Sequence, residues 1–147
     1  MALVLLSLGL VPIFAVMVSS TNLFNNIKDN LIAANLAQEG IEVVRAIRDT
    51  SWLNEQSFNQ NLSNGNYLVS WNSDTLLAYD PNTFIKKDGN KIYSYSSGTD
   101  TPFKRRLNIA SVPSACNCEL KVTSEVTWLE KGVNRVVTVE DHLFNWK

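Results

Sequence analysis

The hydrophobic positions of this chain are concentrated at its start, where residues 2–18 read ALVLLSLGLVPIFAVMV. The first charged side chain is that of Lys28. A helix that crosses a membrane needs about 20 apolar residues, and a charge at the bilayer centre costs roughly 2.5–3.5 kcal/mol on insertion scales. Residues 1–20 therefore predict a hydrophobic helix that is held in a membrane and also packs against copies of itself.

Two other interpretations of this run are weaker. A cleaved secretory signal has a basic first segment and a cleavage site flanked by small residues, and no Lys or Arg precedes Lys28. A buried core helix needs protein on every side, which a chain of 147 residues supplies with difficulty when it acts alone. Within the run, Gly9 and Pro12 predict a kink or a melted turn near residues 8–12.

Beyond residue 20 the composition becomes polar, but apolar residues still recur at spacings of three and four. That spacing belongs to one face of an amphipathic helix. We expect the helix to continue over residues 21–52, less regularly among the asparagines that follow the apolar run, because Asn is a poor helix former. The residues expected to pack this helix on the rest of the chain are Ile27, Leu31, Ala34, Ile41, Val44 and Ile47.

Residues 53–147 predict a β-rich head, because apolar and polar positions now alternate and turn residues are frequent. A strand is expected at Tyr67–Trp71, a turn at Asp80–Asn82 and a hairpin turn at Lys87–Lys91. A longer hairpin is expected from residue 119 to residue 143, with one wet face and one face that covers the helix. Its inner residues are Leu120, Val122, Ser124, Val126 and Trp128. The predicted fold class is α+β, with a long N-terminal helix packed on a C-terminal antiparallel sheet.

The chemistry-bearing residues give little indication of catalysis. The 14 acidic and 13 basic residues nearly cancel, the carboxylates are scattered, and no nucleophile motif, phosphate loop or metal signature occurs. The pair Asp141-His142 is better interpreted as a surface pair than as a catalytic dyad. The four tryptophans are expected in the core more often than in a ligand groove. We expect no enzymatic activity and no cofactor.

Cys116 and Cys118 flank a single residue, Asn117. A disulfide across one intervening residue is strained, and a metal site needs more ligands and wider spacing. Two free thiols, a local bridge and a bridge to another subunit all remain open from the sequence. The basic cluster Lys104-Arg105-Arg106 could touch nucleic acid, but three charges in a near-neutral chain are more typical of a solvated strand end.

The segment from Ala33 to Trp52, AANLAQEGIEVVRAIRDTSW, resembles the end of the long helix in type IV pilin-like proteins. The order of the later pieces is similar as well: TPFKRRLNI at residues 101–109, a hairpin with Val126-Thr127-Trp128, and LFNW at residues 143–146. The resemblance is to the minor-pilin and pseudopilin branch of bacterial type IV filaments. Members of that group carry a basic leader and a glutamate near the mature start, which are both missing here, and Met1 stands where the glutamate would be. The chain is thus either recorded with a truncated start or a divergent member.

The resemblance implies a structural subunit of a type IV pilus-like or pseudopilus filament. Its partners would be copies of itself or other pilins, the assembly machinery of the filament, and the bacterial cytoplasmic membrane before assembly at the cell surface. In that filament the first helix packs in the core through Leu3, Leu5, Leu6, Leu10, Pro12, Phe14 and Val18. The alternative is a single-pass, membrane-anchored extracellular binding module that does not polymerise.

Overall fold

The computed structural model describes residues 2–113 and 118–146, apart from the side chains of residues 2–9, 11, 12, 18 and 22. One helix, α1 (Ala2–Leu53), is followed by eight strands in the described residues. They are β1 (Gly65–Leu68), β2 (Leu77–Ala78), β3 (Lys86–Lys87), β4 (Tyr93–Ser94), β5 (Thr99–Asp100), β6 (Lys104–Ser111), β7 (Glu119–Glu130) and β8 (Val133–Phe144). The α+β class is confirmed.

The helix is continuous over 52 residues. Residues 8–12 remain helical, so the predicted melted turn is wrong, and so is the predicted irregularity among the asparagines. A proline removes one hydrogen bond of the helical ladder, and the helix continues on both sides of Pro12. The kink, the other predicted alternative, stays a prediction. Within the part of the chain that the structure describes, no helix combines the length and the apolarity needed to cross a membrane.

Internal contacts divide the chain after Ile32, and the unit from Ala33 onwards contains the end of α1 and all the strands. Its main sheet has five strands in the order β2-β1-β6-β7-β8, and every pair is antiparallel. A smaller antiparallel sheet has the order β4-β3-β5. The unit therefore depends on one long hairpin, β7–β8, whose register runs from Glu119 opposite Phe144 to Glu130 opposite Val133.

The predicted hairpin of residues 119–143 is confirmed, and its second strand starts at Val133. The predicted turn at Asp80 is also confirmed, since its carboxylate accepts the N–H of Asn82 at 2.9 Å. The strand expected at Tyr67–Trp71 is displaced and ends at Leu68. The displacement has a local cause, because a turn from Ser70 to Ser73 removes the backbone from the sheet, with Ser73 N donating to Ser70 O at 3.0 Å.

The core lies between α1 and the inner face of the five-stranded sheet. Alternate residues of β7 are buried as predicted, with Val122, Ser124 and Val126 fully enclosed. On the helix Ile41, Val44 and Ile47 are buried and Ala34 is partly buried. Ile27 and Leu31 are exposed by 59% and 61%, so their placement on the packed face is wrong. Leu31 stands two residues before the buried Ala33, and residues two apart do not share a helix face.

Helix α1 approaches the sheet most closely at Gly40. A Cβ atom at this position would lie 2.7 Å from Ser124 Oγ and 3.3 Å from Arg105 Cδ. Real Cβ atoms do not come as near as 2.7 Å to another heavy atom, so a side chain at position 40 would force a shift of the helix or of the Ser124 and Arg105 side chains. The glycine, a poor helix former, is therefore explained by packing.

This contact predicts the sign of a simple substitution. Gly40→Ala should destabilise the protein by about 1–2 kcal/mol through overpacking, although Ala is the better helix former by about 1 kcal/mol. The measurement is chemical unfolding of the full chain in detergent.

Ser124→Ala provides the matched background. Ser124 Oγ is buried with no hydrogen-bond partner among the described residues, so its removal should cost little by itself. In that background Gly40→Ala should become neutral or stabilising. If Gly40→Ala stabilises the protein that retains Ser124, the close contact is not limiting.

Candidate assembly surface

The first unit of the chain carries a row of large apolar side chains that the protein itself does not cover. Leu10 is exposed by 44%, and the other members are exposed by about 60% or more. They are Ile13, Phe14, Val16, Met17, Leu23, Phe24, Ile27 and Leu31. Isolated exposed apolar residues are normal, but a contiguous apolar surface marks a site of contact with protein or lipid.

Six of these residues follow the spacing of a helix-packing seam. Leu10, Met17, Phe24 and Leu31 are seven residues apart, and Ile13 and Ile27 occupy the intermediate positions. A repeat of three and four residues is what a helix presents to a neighbouring helix of similar direction. Ser20 is the only polar residue in this seam between Leu10 and Leu31. The seam therefore reaches 11 positions past residue 20, into the asparagine-rich segment.

The residues predicted to pack in a filament core are only partly described. Leu10 and Phe14 are exposed. The side chains of Leu3, Leu5, Leu6, Pro12 and Val18 lie outside the described residues, although their backbone belongs to α1. Their contacts stay a prediction. Ile27 and Leu31 were predicted to pack on the head. Their spacing from Leu10 and Met17 was the signal in the sequence that assigns them to the seam instead.

The basic cluster of β6 does not form a solvated strand end. Arg105 is 2% exposed, and its guanidinium donates to the carbonyl oxygens of Leu36 at 2.8 Å and of Val69. It also forms an ion pair with Glu39 at 3.0 Å. Arg105 thus joins α1, the segment after β1 and the sheet, and the sequence expectation of a solvated charge is wrong for this residue.

The two neighbours of Arg105 point to the outer face of the sheet and are engaged there. Lys104 Nζ donates to the carbonyl of Pro81 at 2.9 Å and lies 4.4 Å from the ring centre of Phe84. Arg106 pairs with Glu125 on β7 at 3.1 Å. The three cations are therefore directed to different partners and do not converge on one phosphate-sized site.

Asp141 and His142 do not pair with each other. Asp141 accepts from Arg45 on α1 at 2.8 Å, and this hydrogen bond raises the pKa of Arg45 further above its already high value. His142 Nδ1 lies 2.5 Å from Glu119 Oε1, and the hydrogen bond raises the pKa of the imidazole. A hydrogen bond from Lys121 lowers the pKa of Glu140 on the same outer face. Asp141 thus joins β8 to α1, whereas His142 and Glu140 form cross-strand pairs, and the two residues do not form the pair with each other that the sequence suggested.

Only two of the four tryptophans are in the core. Trp52 and Trp128 are 9% and 4% exposed, whereas Trp71 and Trp146 are 54% and 71% exposed. Trp146 rests edge-on against Trp52, with ring centroids 4.8 Å apart. The core prediction is thus wrong for Trp71 and Trp146.

Cys118 takes part in a disulfide, which removes the free-thiol interpretation for that residue. Cys116 lies outside the described residues. Whether the disulfide of Cys118 is a local bridge to Cys116 or a bridge to another subunit stays a prediction.

A cleft of about 480 Å³ lies beside the turn between β7 and β8. Its apolar lining includes Phe84, Pro102, Leu129 and Val136, and Lys104 stands at its side. The volume lies within the range of about 300–1,000 Å³ typical of ligand pockets. No sequence motif predicted this cleft, because residues from three separate segments of the chain form it.

No protein-family model, no curated protein and no solved structure matches this chain.

The buried guanidinium predicts a large difference between two adjacent arginines. Arg105→Met should destabilise the protein by about 3–5 kcal/mol, because it leaves two buried carbonyls and the Glu39 carboxylate without their partner. Arg106→Met removes an ion pair that is half exposed, which is worth about 1 kcal/mol or less. Denaturant unfolding of both full-length variants measures the difference, and equal losses would contradict a special role for Arg105.

The His142 pair predicts a pH dependence. Since the folded chain favours the protonated imidazole, its stabilisation is fully present below the unfolded pKa of about 6.5 and is lost as pH rises through the raised folded pKa. NMR titration should give His142 a pKa above 6.5, and Glu119→Gln should bring it back towards that value. Glu125→Gln, further along the same strand, is the control and should leave the His142 titration unchanged.

Proposed function

We propose that this chain is a structural subunit of a type IV pilus-like or pseudopilus filament. The observation that carries the proposal is the exposed apolar seam on α1, from Leu10 to Leu31. A surface of this kind is covered in its working state by lipid or by other helices. Helices of neighbouring copies that carry the same seam can cover it repeatedly along an axis.

The energetics favour such packing over exposure to water. Burial of one large aliphatic or aromatic side chain is worth about 1.5–3 kcal/mol relative to exposure, and the seam offers six. The gain over lipid is much smaller, because lipid tails are as apolar as the partner helix. A subunit stored in the membrane would therefore need outside work to leave it, which is consistent with an assembly machinery that this chain does not contain.

The second unit is consistent with the same proposal, because the outer face of its main sheet carries charged side chains that favour contact with water. Cross-strand ion pairs occupy that face, among them Arg106–Glu125 and Lys121–Glu140. A charged face stays soluble while the helix is packed in lipid or in a core. On this proposal the chain resides in the bacterial cytoplasmic membrane before assembly and in a surface filament afterwards, with copies of itself or other pilins as partners.

One observation favours the alternative, a membrane-anchored binding module that does not polymerise. The cleft beside Val136 has the volume of a ligand pocket. This alternative needs no contact between copies, so the state of assembly separates the two proposals.

The test places charges in the seam and beside it. Met17→Asp with Phe24→Asp puts two carboxylates in the seam, and we expect filaments to be lost from the sheared surface fraction, because burying an unpaired charge is prohibitive. The control, Thr21→Asp with Asn25→Asp, adds the same charges to the same turns at polar, exposed positions, and it should assemble. Electron microscopy and immunoblotting of that fraction are the measurements.

Filaments from the Met17/Phe24 variant would contradict the seam as the assembly surface. A wild-type chain that stays monomeric in the membrane fraction, with no fibres under any condition, would favour the binding module.

A further inference from the structure

The cleft beside the β7–β8 turn is formed by an apolar corner of the outer sheet face. Leu129 and Val136 are exposed by 61% and 57%, and Phe84 by 38%. Thr127 stands opposite Val136, and Asn134 opposite Leu129, in the register of the hairpin. The cleft therefore combines apolar walls with two short polar side chains that can accept a hydrogen bond.

A protruding apolar group lies at the other end of the same hairpin. Trp146 follows β8 by two residues and is exposed by 71%, although one edge of its ring rests on Trp52. Leu53, at the end of α1, is exposed by 82%. Strands advance about 3.4 Å per residue, so the ten residues from Val136 to Trp146 separate the cleft and the tryptophan by roughly 30 Å.

The two ends also differ in charge. Lys104 and Arg135 line the cleft, Arg135 is paired with Glu130 at 3.0 Å, and Lys131 occupies the adjoining turn. At the tryptophan end, Glu55 shares a surface depression with Trp52 and Asn145. A translation along the strands would bring Trp146 and the Glu55 carboxylate of one copy to an apolar cleft that is lined by Lys104 and Arg135 on another.

We propose that Trp146 of one copy of this chain inserts into the cleft of Phe84, Leu129 and Val136 on the next copy. The indole body would cover the apolar walls, and its N–H would donate to Thr127 or Asn134, since a buried indole needs an acceptor. Because the two surfaces differ, the contact is head-to-tail, and it stays open when the rotation from copy to copy does not close a ring. It therefore generates a row of heads.

This contact is too small to hold two copies together alone. Stable interfaces bury about 1,200 Å² or more in total, and one tryptophan contributes about 150–250 Å². The proposal rests on the proposed function in one respect: the α1 seam keeps the copies side by side, and this raises the effective concentration of the second contact. Tryptophan is a residue that often dominates the affinity of such contacts.

The experiment is site-specific photo-crosslinking of the full chain in intact cells. A photoreactive phenylalanine derivative replaces Trp146, and mass spectrometry identifies the peptide to which it attaches. We expect intermolecular adducts with residues 127–136 of another copy. The same residue at position 71, which is also an exposed tryptophan, is the positional control and should give no adduct with that peptide.

A pair of substitutions on one strand tests the cleft itself. Val136→Asp introduces a charge into the cleft, and the adduct yield should fall about tenfold or more, as for the loss of a dominant contact. Thr138→Asp introduces the same charge at the next outward, exposed position of β8 and should leave the yield within about twofold.

The outcomes separate this proposal from the proposed function. Fibres that form normally while position 146 gives adducts only with lipid, with other proteins or with its own chain would overturn the head contact and leave the filament proposal intact. If fibres are absent but the adduct with residues 127–136 forms between membrane-bound copies, the head contact is supported and the filament proposal fails. A bound ligand that fills the cleft and blocks the adduct in every state would also overturn the proposal.

Discussion

The close contact of α1 with β6 and β7 is the constraint on which the rest of the second unit depends. Gly40 allows the helix to approach Ser124, and the guanidinium of Arg105 joins the helix, the segment after β1 and the sheet from within the core. A buried charge is costly unless it is paired and hydrogen-bonded; both terminal nitrogens of Arg105 have such partners, whereas its Nε has none among the described residues. The position of the helix is therefore defined by polar contacts as well as by apolar burial, and the register of β6 cannot shift without breaking them.

The surfaces of the protein follow from this arrangement. The inner face of the five-stranded sheet packs against α1. The outer face is open to solvent, and ion pairs lie on it. The exposed large apolar side chains include those of the seam of α1, of the cleft beside Val136 and of Trp146, and others such as Trp71, Leu77 and Ile92 lie elsewhere on the surface. Such surfaces are costly in water and are typical of contact sites. On the function proposed above, a second copy of the chain would cover the seam, the cleft and Trp146.

The sequence was a good guide to elements whose pattern is local. The β7–β8 hairpin could be predicted because alternation and a turn signal agree over 25 residues, and the helix because its spacing persists past residue 20. One error arose at Ser70, where a local turn ends the strand that the pattern predicted. Another arose at Ile27 and Leu31, where one long periodic run contains two different helix faces. Apolar residues at an average spacing near 3.6 indicate a helix face, but this spacing does not show where along the helix one apolar face ends and a second one, on another side, begins.

Composition and periodicity alone determined that the chain has an apolar start, one long helix and a β-rich remainder, because these properties depend on neighbours in sequence. The tertiary structure decided which charges are buried and which tryptophans are free, because burial depends on segments far apart along the chain. Arg105 and Arg106 are adjacent in sequence, yet one lies in the core and the other on the surface. Strand alternation allows this difference, and only the approach of α1 decides which face becomes the interior.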